Sequence, residues 1–215
     1  MDLAQFIDHT ILKPDCTLTD IETLCSEAVE HCFVAVCVPP YYVKHAVGHL
    51  EDTNVKVATV AGFPLGYSPS SSKVETIKRA LEEGADEIDV VINLCALKNG
   101  NWNYVRNELE SMTNACHMRG KIIKVIIETG LLTRDEIVKV CEICASLKVD
   151  FVKTSTGFNG PGASVEAVAL MRAMLPAKIK IKAAGGIRDR HFAEQLINAG
   201  ANRLGCSSGT KLVAG

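Results

Sequence analysis

Eight short runs of apolar, mostly β-branched residues recur along the chain, at 6–10, 33–38, 55–60, 87–92, 122–128, 151–154, 178–183 and 203–206. Their starts lie about 28 residues apart on average, which is room for a strand, a loop, a helix and a return loop. The intervals between them carry a helical period. Ile21, Leu24, Cys25, Ala28 and Val29 follow i, i+3, i+4, i+7, i+8 spacing and predict one buried stripe. Thr19-x-x-Glu22, Ser72-x-x-Glu75 and Thr133-x-x-Glu136 have the form of capping boxes, and Gly84, Gly120 and Gly200 stand where helices should stop. Strands alternating with helices predict a parallel sheet covered on its faces. Eight such units in 215 residues fit a compact α/β protein, a (β/α)8 TIM barrel forming a single domain over 1–215. Only nine residues follow Cys206, so the eighth helix is expected to be very short. The alternative is an open doubly wound sheet. No Gly-x-Gly-x-x-Gly follows the first strands, so its nucleotide-binding version lacks support.

Charge changes this picture at three strands. Asp89 lies inside the fourth apolar run, Lys153 inside the sixth and Lys182 inside the seventh. An ion in an apolar strand is costly unless paired, so these three carry more information than surface charges. Strands six and seven are neighbours in a barrel, at a spacing of ~4.8 Å. Two inward ammonium groups about 4 Å apart repel by ~4 kcal/mol at an effective dielectric of ~20, equivalent to about three pKa units. Desolvation pushes the same way. One of the two lysines is then partly neutral, and a neutral amine forms a Schiff base with a carbonyl. Asp89 would keep the other charged and could move protons. The plainer reading is also open: Lys178, Lys180 and Lys182 alternate with Ile179 and Ile181, as in any amphipathic strand, with Lys180 inside the barrel and paired to a carboxylate such as Glu128.

Small residues follow the same strands. Thr156-Gly157, Gly185-Gly186 and Ser207-Ser208-Gly209 could turn backbone N–H groups toward an anion, with Arg188 adding charge; taken singly they are ordinary turns.

Composition removes several other classes. The formal net charge is −2, with no basic excess for nucleic acid or an anionic membrane. No run reaches the ~18 apolar residues of a membrane helix. Met1-Asp2-Leu3 does not open an export signal. Nine cysteines, an odd number scattered through apolar runs, predict reduced thiols and a cytoplasmic setting. Cys141-x-x-Cys144 has redox or zinc spacing but falls inside a predicted helix with no second pair after it. His45 and His49 are spaced i, i+4, yet residue 46 is Ala, so two half-exposed helix histidines are expected.

The segments Lys153-Thr154-Ser155-Thr156-Gly157-Phe158, Lys182-Ala183-Ala184-Gly185-Gly186-Ile187-Arg188, Glu87-Ile88-Asp89-Val90-Val91-Ile92-Asn93 and Ala35-Val36-Cys37-Val38-Pro39, with Ile7-Asp8-His9-Thr10 and Ile126-Ile127-Glu128-Thr129-Gly130, resemble the deoxyribose-phosphate aldolase family. The resemblance covers about residues 6–213. It implies a class I aldolase, a carbon–carbon lyase without metal or cofactor. Such an enzyme interconverts 2-deoxy-D-ribose 5-phosphate with D-glyceraldehyde 3-phosphate and acetaldehyde in deoxyribose phosphate catabolism. It further implies that Lys153 forms the Schiff base, Lys182 lowers its pKa, Asp89 exchanges protons and Asp8 hydrogen-bonds this relay. The phosphate is expected on Gly157, Gly185, Gly186, Ser207 and Ser208. A homodimer or homotetramer is implied, with no nucleic acid and no membrane as partner. Another Schiff-base sugar-phosphate aldolase on the same barrel is the alternative.

Two departures stand out. Some members have Lys after the Gly of the strand-six motif where this chain has Phe158, which leaves phosphate binding more dependent on backbone groups. Some carry a longer tail ending in Tyr, whereas this sequence stops at Gly215; water is expected to replace any phenol. Cys37 follows the inward parity of its strand and is expected to be a small buried residue beside the site.

Overall fold

The computed structural model describes residues 1–214; Gly215, the last residue of the domain expected over 1–215, lies outside the described residues. Eight parallel strands close into a barrel in chain order: β1 (Ile7–Thr10), β2 (Ala35–Cys37), β3 (Lys56–Ala61), β4 (Glu87–Val91), β5 (Ile122–Ile126), β6 (Phe151–Lys153), β7 (Lys180–Ala184) and β8 (Arg203–Cys206). The open-sheet alternative is excluded by the β1–β8 pairing, in which Ile7 faces Leu204 and Asp8 faces Gly205. The helices are α1 (Leu18–Glu30), α2 (Val43–His49), α3 (Ser70–Glu82), α4 (Leu94–Lys98), α5 (Trp102–His117), α6 (Arg134–Leu147), α7 (Val165–Met174), α8 (Arg190–Asn198) and α9 (Gly209–Val213). The helix after β8 is the five-residue α9, and the fourth unit carries two helices, α4 and α5.

Helix ends follow local chemistry. Thr133 and Glu136 form the expected capping box of α6. Two expected caps are corrected. α1 is capped two residues earlier, by Thr17 with Asp20, because Asp20 reaches back to the Thr17 N–H at 2.7 Å. α3 starts at Ser70 after Pro69 and has no side-chain cap; proline's fixed φ opens that helix instead. Gly84, Gly120 and Gly200 all follow helix ends with positive φ.

The larger core lies between the sheet and the helices and takes in Ile21, Leu24, Cys25, Ile77, Leu109 and Val140 among many others. Cys141 and Cys144 sit on the buried face of α6 as free thiols, and burial raises both, Cys141 to about 12. They are packing residues. His45 and His49 are exposed on α2. Among the described residues no helix is long and apolar enough to cross a membrane.

The barrel interior is different. Its apolar part includes a small cluster of Cys37, Ala58 and Val60, with Leu12 and Phe63 packed against them, and the Phe151 ring lies 5.5 Å from the Arg203 guanidinium. Barrels of this kind usually fill the middle with branched aliphatic side chains. Here much of that space holds ions.

Candidate active site

Seven ionisable side chains converge inside the barrel, all of them nine-tenths or more buried: Asp8, Glu87, Asp89, Lys124, Lys153, Lys182 and Arg203. Strand register brings them together. Lys153 faces Lys182 across β6–β7, Asp89 faces Lys124 across β4–β5, and Lys182 faces Arg203 across β7–β8. Partners in a parallel sheet point to the same face, so each pair enters the interior at one level.

Six of the seven form a closed ring of alternating sign. Lys182 Nζ lies 2.8 Å from Asp89 Oδ2, and Asp89 Oδ1 accepts from Lys124 Nζ at 2.7 Å. Lys124 Nζ lies 2.6 Å from Glu87 Oε2, and Glu87 meets Arg203 Nη1 at 3.5 Å. Arg203 Nη1 donates to Asp8 Oδ1 at 2.5 Å, and Asp8 Oδ2 returns to Lys182 Nζ at 2.6 Å. Three cations and three carboxylates balance. Lys153 hangs outside this ring, donating to Asp89 Oδ2 at 2.7 Å. A protonated Lys153 would be a fourth cation against three anions in a space without water-like screening.

The shifts follow that arithmetic. Burial is the largest influence on Lys153 and lowers its pKa; Asp89 opposes this and the Lys182 charge adds to it. Burial also disfavours the Lys182 ammonium, but Asp8 and Asp89 outweigh it and raise the pKa. Lys124 is raised in the same way by Asp89, Glu87 and Asp8. Burial disfavours the Asp89 carboxylate, yet three ammonium groups hold its pKa well below the ordinary range. The expected two-lysine repulsion is therefore real but secondary. Both nitrogens sit on one Asp89 oxygen, which screens their repulsion and leaves desolvation in the lead.

Above Lys153 opens a cavity of about 420 Å3 at the C-terminal ends of the strands. Lys153 lines it, whereas Lys182, Asp89 and Asp8 lie beneath. Gly157, Gly185, Gly186, Ser207 and Ser208 all line it too, together with the cations Lys13, Arg188 and Lys211. Gly157, Gly185 and Gly186 have φ of 84°, 89° and 78°. Gly185 packs backbone to backbone: a Cβ there would meet Gly157 Cα at 3.1 Å and Gly162 Cα at 2.9 Å. Phe158 also lines the cavity, with its ring edge-on to Phe63 at 5.2 Å. Rim cations thus come from the loops after β1 and β7 and from α9, although residue 158 carries no charge. Cys37 is buried in the interior, where burial first and Asp89 second raise its thiol to about 11.

Residues 3–214 match the model of the DeoC/LacD family aldolase. The chain belongs to the DeoC/LacD family of aldolases. It is 51% identical over 217 residues to a deoxyribose-phosphate aldolase of Thermococcus gammatolerans, covering 100% of this chain and 96% of that protein. It is 51% identical over 214 residues to a deoxyribose-phosphate aldolase of Mannheimia succiniciproducens, covering 100% of this chain and 95% of that one. A tetrameric deoxyribose phosphate aldolase from Aeropyrum pernix superposes with a TM-score of 0.92 at 32% identity, covering 99% of this chain and 89% of that chain.

Within this DeoC/LacD aldolase, three ring members escape a reading of the sequence alone: Glu87, Lys124 and Arg203. For Lys124 the signal is the same one that marks Asp89, since it stands between Ile123 and Val125 in an apolar strand, whereas Glu87 and Arg203 open their strands beside polar residues. One expectation is overturned. Lys180 is exposed at the start of β7, 5.6 Å from the Phe151 ring, and makes no pair with Glu128. It shares the inward parity of Lys182 but lies at the solvent end of the barrel. Glu128 instead accepts from Thr156 and Asn159.

Gly205 gives the ring its clearance. A Cβ on it would lie 3.0 Å from Lys182 Cε and 3.0 Å from Ala184 Cβ. Gly205→Ala is expected to displace Lys182, costing about 1–3 kcal/mol of stability. The fall in turnover should exceed what that instability explains, which is read by activity assays well below the melting temperature.

Proposed function

We propose that this aldolase reversibly cleaves 2-deoxy-D-ribose 5-phosphate to D-glyceraldehyde 3-phosphate and acetaldehyde through a Schiff base on Lys153. One observation carries the reading: Lys153 alone of the seven interior ions lines the cavity, and the ring beneath it is already neutral. Neutral Lys153 attacks the acetaldehyde carbonyl, giving a carbinolamine. Its oxygen gains a proton and leaves as water, giving an iminium. The iminium draws electrons, so the methyl carbon loses a proton and an enamine forms. The enamine carbon attacks the aldehyde of glyceraldehyde 3-phosphate; the new alkoxide takes up a proton, and water returns the amine. Lys182 and Asp89 are the proton carriers next to Nζ, and Asp8 fixes Lys182 in place. The glycine turns and Ser207 and Ser208 take the phosphate, with Lys13, Arg188 and Lys211 neutralising it. That anchor orients the aldehyde against the enamine.

Residues 1–215 form one catalytic domain on this reading. The nine free thiols favour a reducing compartment, and we place the enzyme in the cytoplasm, as a homodimer or homotetramer.

The test is cleavage of deoxyribose 5-phosphate with and without chelator, followed by borohydride reduction in the presence of acetaldehyde. The expected result is chelator-insensitive cleavage and an ethyl adduct on Lys153. An active protein whose Lys153 peptide stays unmodified contradicts the mechanism. The alternative, another Schiff-base sugar-phosphate aldolase, would show the adduct machinery with a different phosphorylated sugar. The pH dependence follows from the lowered pKa of Lys153. Only the neutral amine attacks, so adduct formation should rise with pH and level off below the ordinary lysine value of ~10.4.

A further inference from the structure

Glu128 is a buried carboxylate that the mechanism above does not use. It is 1% exposed and, among the described residues, forms no ion pair; burial raises its pKa against the Thr156 and Asn159 donors and the Lys153 charge. Its backbone is left-handed, with φ 55° and ψ 60°. A non-glycine residue holds that conformation only where its surroundings enforce it. The carboxylate faces donors from the β6 loop. Thr156 N–H donates to Oε1 at 3.1 Å, Thr156 Oγ1 donates to Oε2, and Asn159 Nδ2 reaches Oε2 at 3.4 Å. Asn159 Nδ2 also donates to Pro64 O at 2.7 Å, on the loop after β3. Phe158 N–H donates to Thr156 Oγ1 at 3.1 Å. One side chain at the end of β5 thus fixes the turn after β6 and, through Asn159, ties it across the barrel mouth.

That turn supplies Thr156, Gly157 and Phe158 to the cavity wall, and Gly157 is the backbone against which Gly185 packs. We infer that Glu128 is a positioning residue that shapes the acceptor half of the cavity, governing capture of the phosphorylated aldehyde and not imine formation at Lys153. The inference rests on the aldolase reading and deepens it. A carboxylate suits the task because one group accepts from three donors on two residues. An amide in its place keeps one acceptor oxygen and turns an NH2 toward a donor.

The experiment separates the two halves of the reaction. In the synthetic direction, the KM for D-glyceraldehyde 3-phosphate is measured for wild type, Glu128→Gln and Glu128→Ala. The rate of borohydride-trapped acetaldehyde adduct at Lys153 is measured for the same three proteins. Glu128→Ala is expected to raise that KM about tenfold or more, with the adduct rate within about twofold of wild type. Glu128→Gln should give a smaller rise, and it carries the same test if the alanine variant does not fold. A KM within about twofold of wild type, or an adduct rate falling in parallel with it, overturns the inference while leaving the aldolase intact. A wild-type protein that forms no adduct overturns the aldolase reading and this inference with it.

Discussion

Lys153→Leu should lose about 10^4-fold or more in cleavage rate while remaining folded. The nucleophile is gone, and only binding and polar groups remain. The fold should survive because Lys153 is not part of the balanced ring: Asp89 keeps Lys124 at 2.7 Å and Lys182 at 2.8 Å. The check is steady-state kinetics beside a thermal melt. An inactive protein with a near-normal melting temperature is expected. Residual activity within a hundredfold of wild type would remove Lys153 from the chemistry.

Lys182→Leu should behave differently. It cuts the ring at one cation and leaves Asp8 and Asp89 short of a partner. Breaking a buried ion pair by removing one side typically costs 3–5 kcal/mol. For a chain of this size, each kcal/mol lowers the melting temperature by about 2–4 °C. The activity effect has a sign that follows from the charges. Lys182 lowers the Lys153 pKa and Asp89 raises it, so removing Lys182 raises it. Lys153 then becomes the cation the ring lacks. Asp89 Oδ2 lies between the two nitrogens and screens their repulsion, so the displacement is upward but only part of what two bare ammonium groups would give. Loss of about 10^2-fold or more at neutral pH is expected from removing a group that moves protons, with the pH profile of adduct formation displaced upward and part of the rate returning in alkali. An unchanged profile would mean that Lys182 does not act on Lys153 through charge.

The barrel was legible because each strand is bounded and nearly all apolar, and because helical stripes and stop glycines separate the strands at a regular interval. Asp89, Lys153 and Lys182 stood out for the same reason, as ions inside such strands. Lys124 carries that mark too, whereas Glu87 and Arg203 only open their strands, and a ring cannot be read from one strand at a time. It appears only when register sets Asp89 beside Lys124 and Lys182 beside Arg203. The ranking of forces on Lys153 was hidden for a related reason. Two lysines in sequence suggest repulsion, whereas the folded site places an Asp89 oxygen between them and leaves burial dominant. Lys180 shows the limit of parity, since an inward position at the solvent end of a strand is not an interior one. Glu128 lies furthest from sequence reasoning, because its left-handed backbone and its donors come from loops that meet only in the closed barrel.

The central claim is that a charge-balanced ring leaves Lys153 as the one lysine of the interior that gives up its proton easily. The direct measurement is a pH titration of lysine side-chain resonances in isotope-labelled protein, with the Lys153→Leu spectrum identifying the Lys153 signal. Lys153 should titrate clearly below the ordinary ~10.4, while Lys124 and Lys182 stay charged beyond it. A Lys153 signal that titrates at or above that ordinary value would contradict the account.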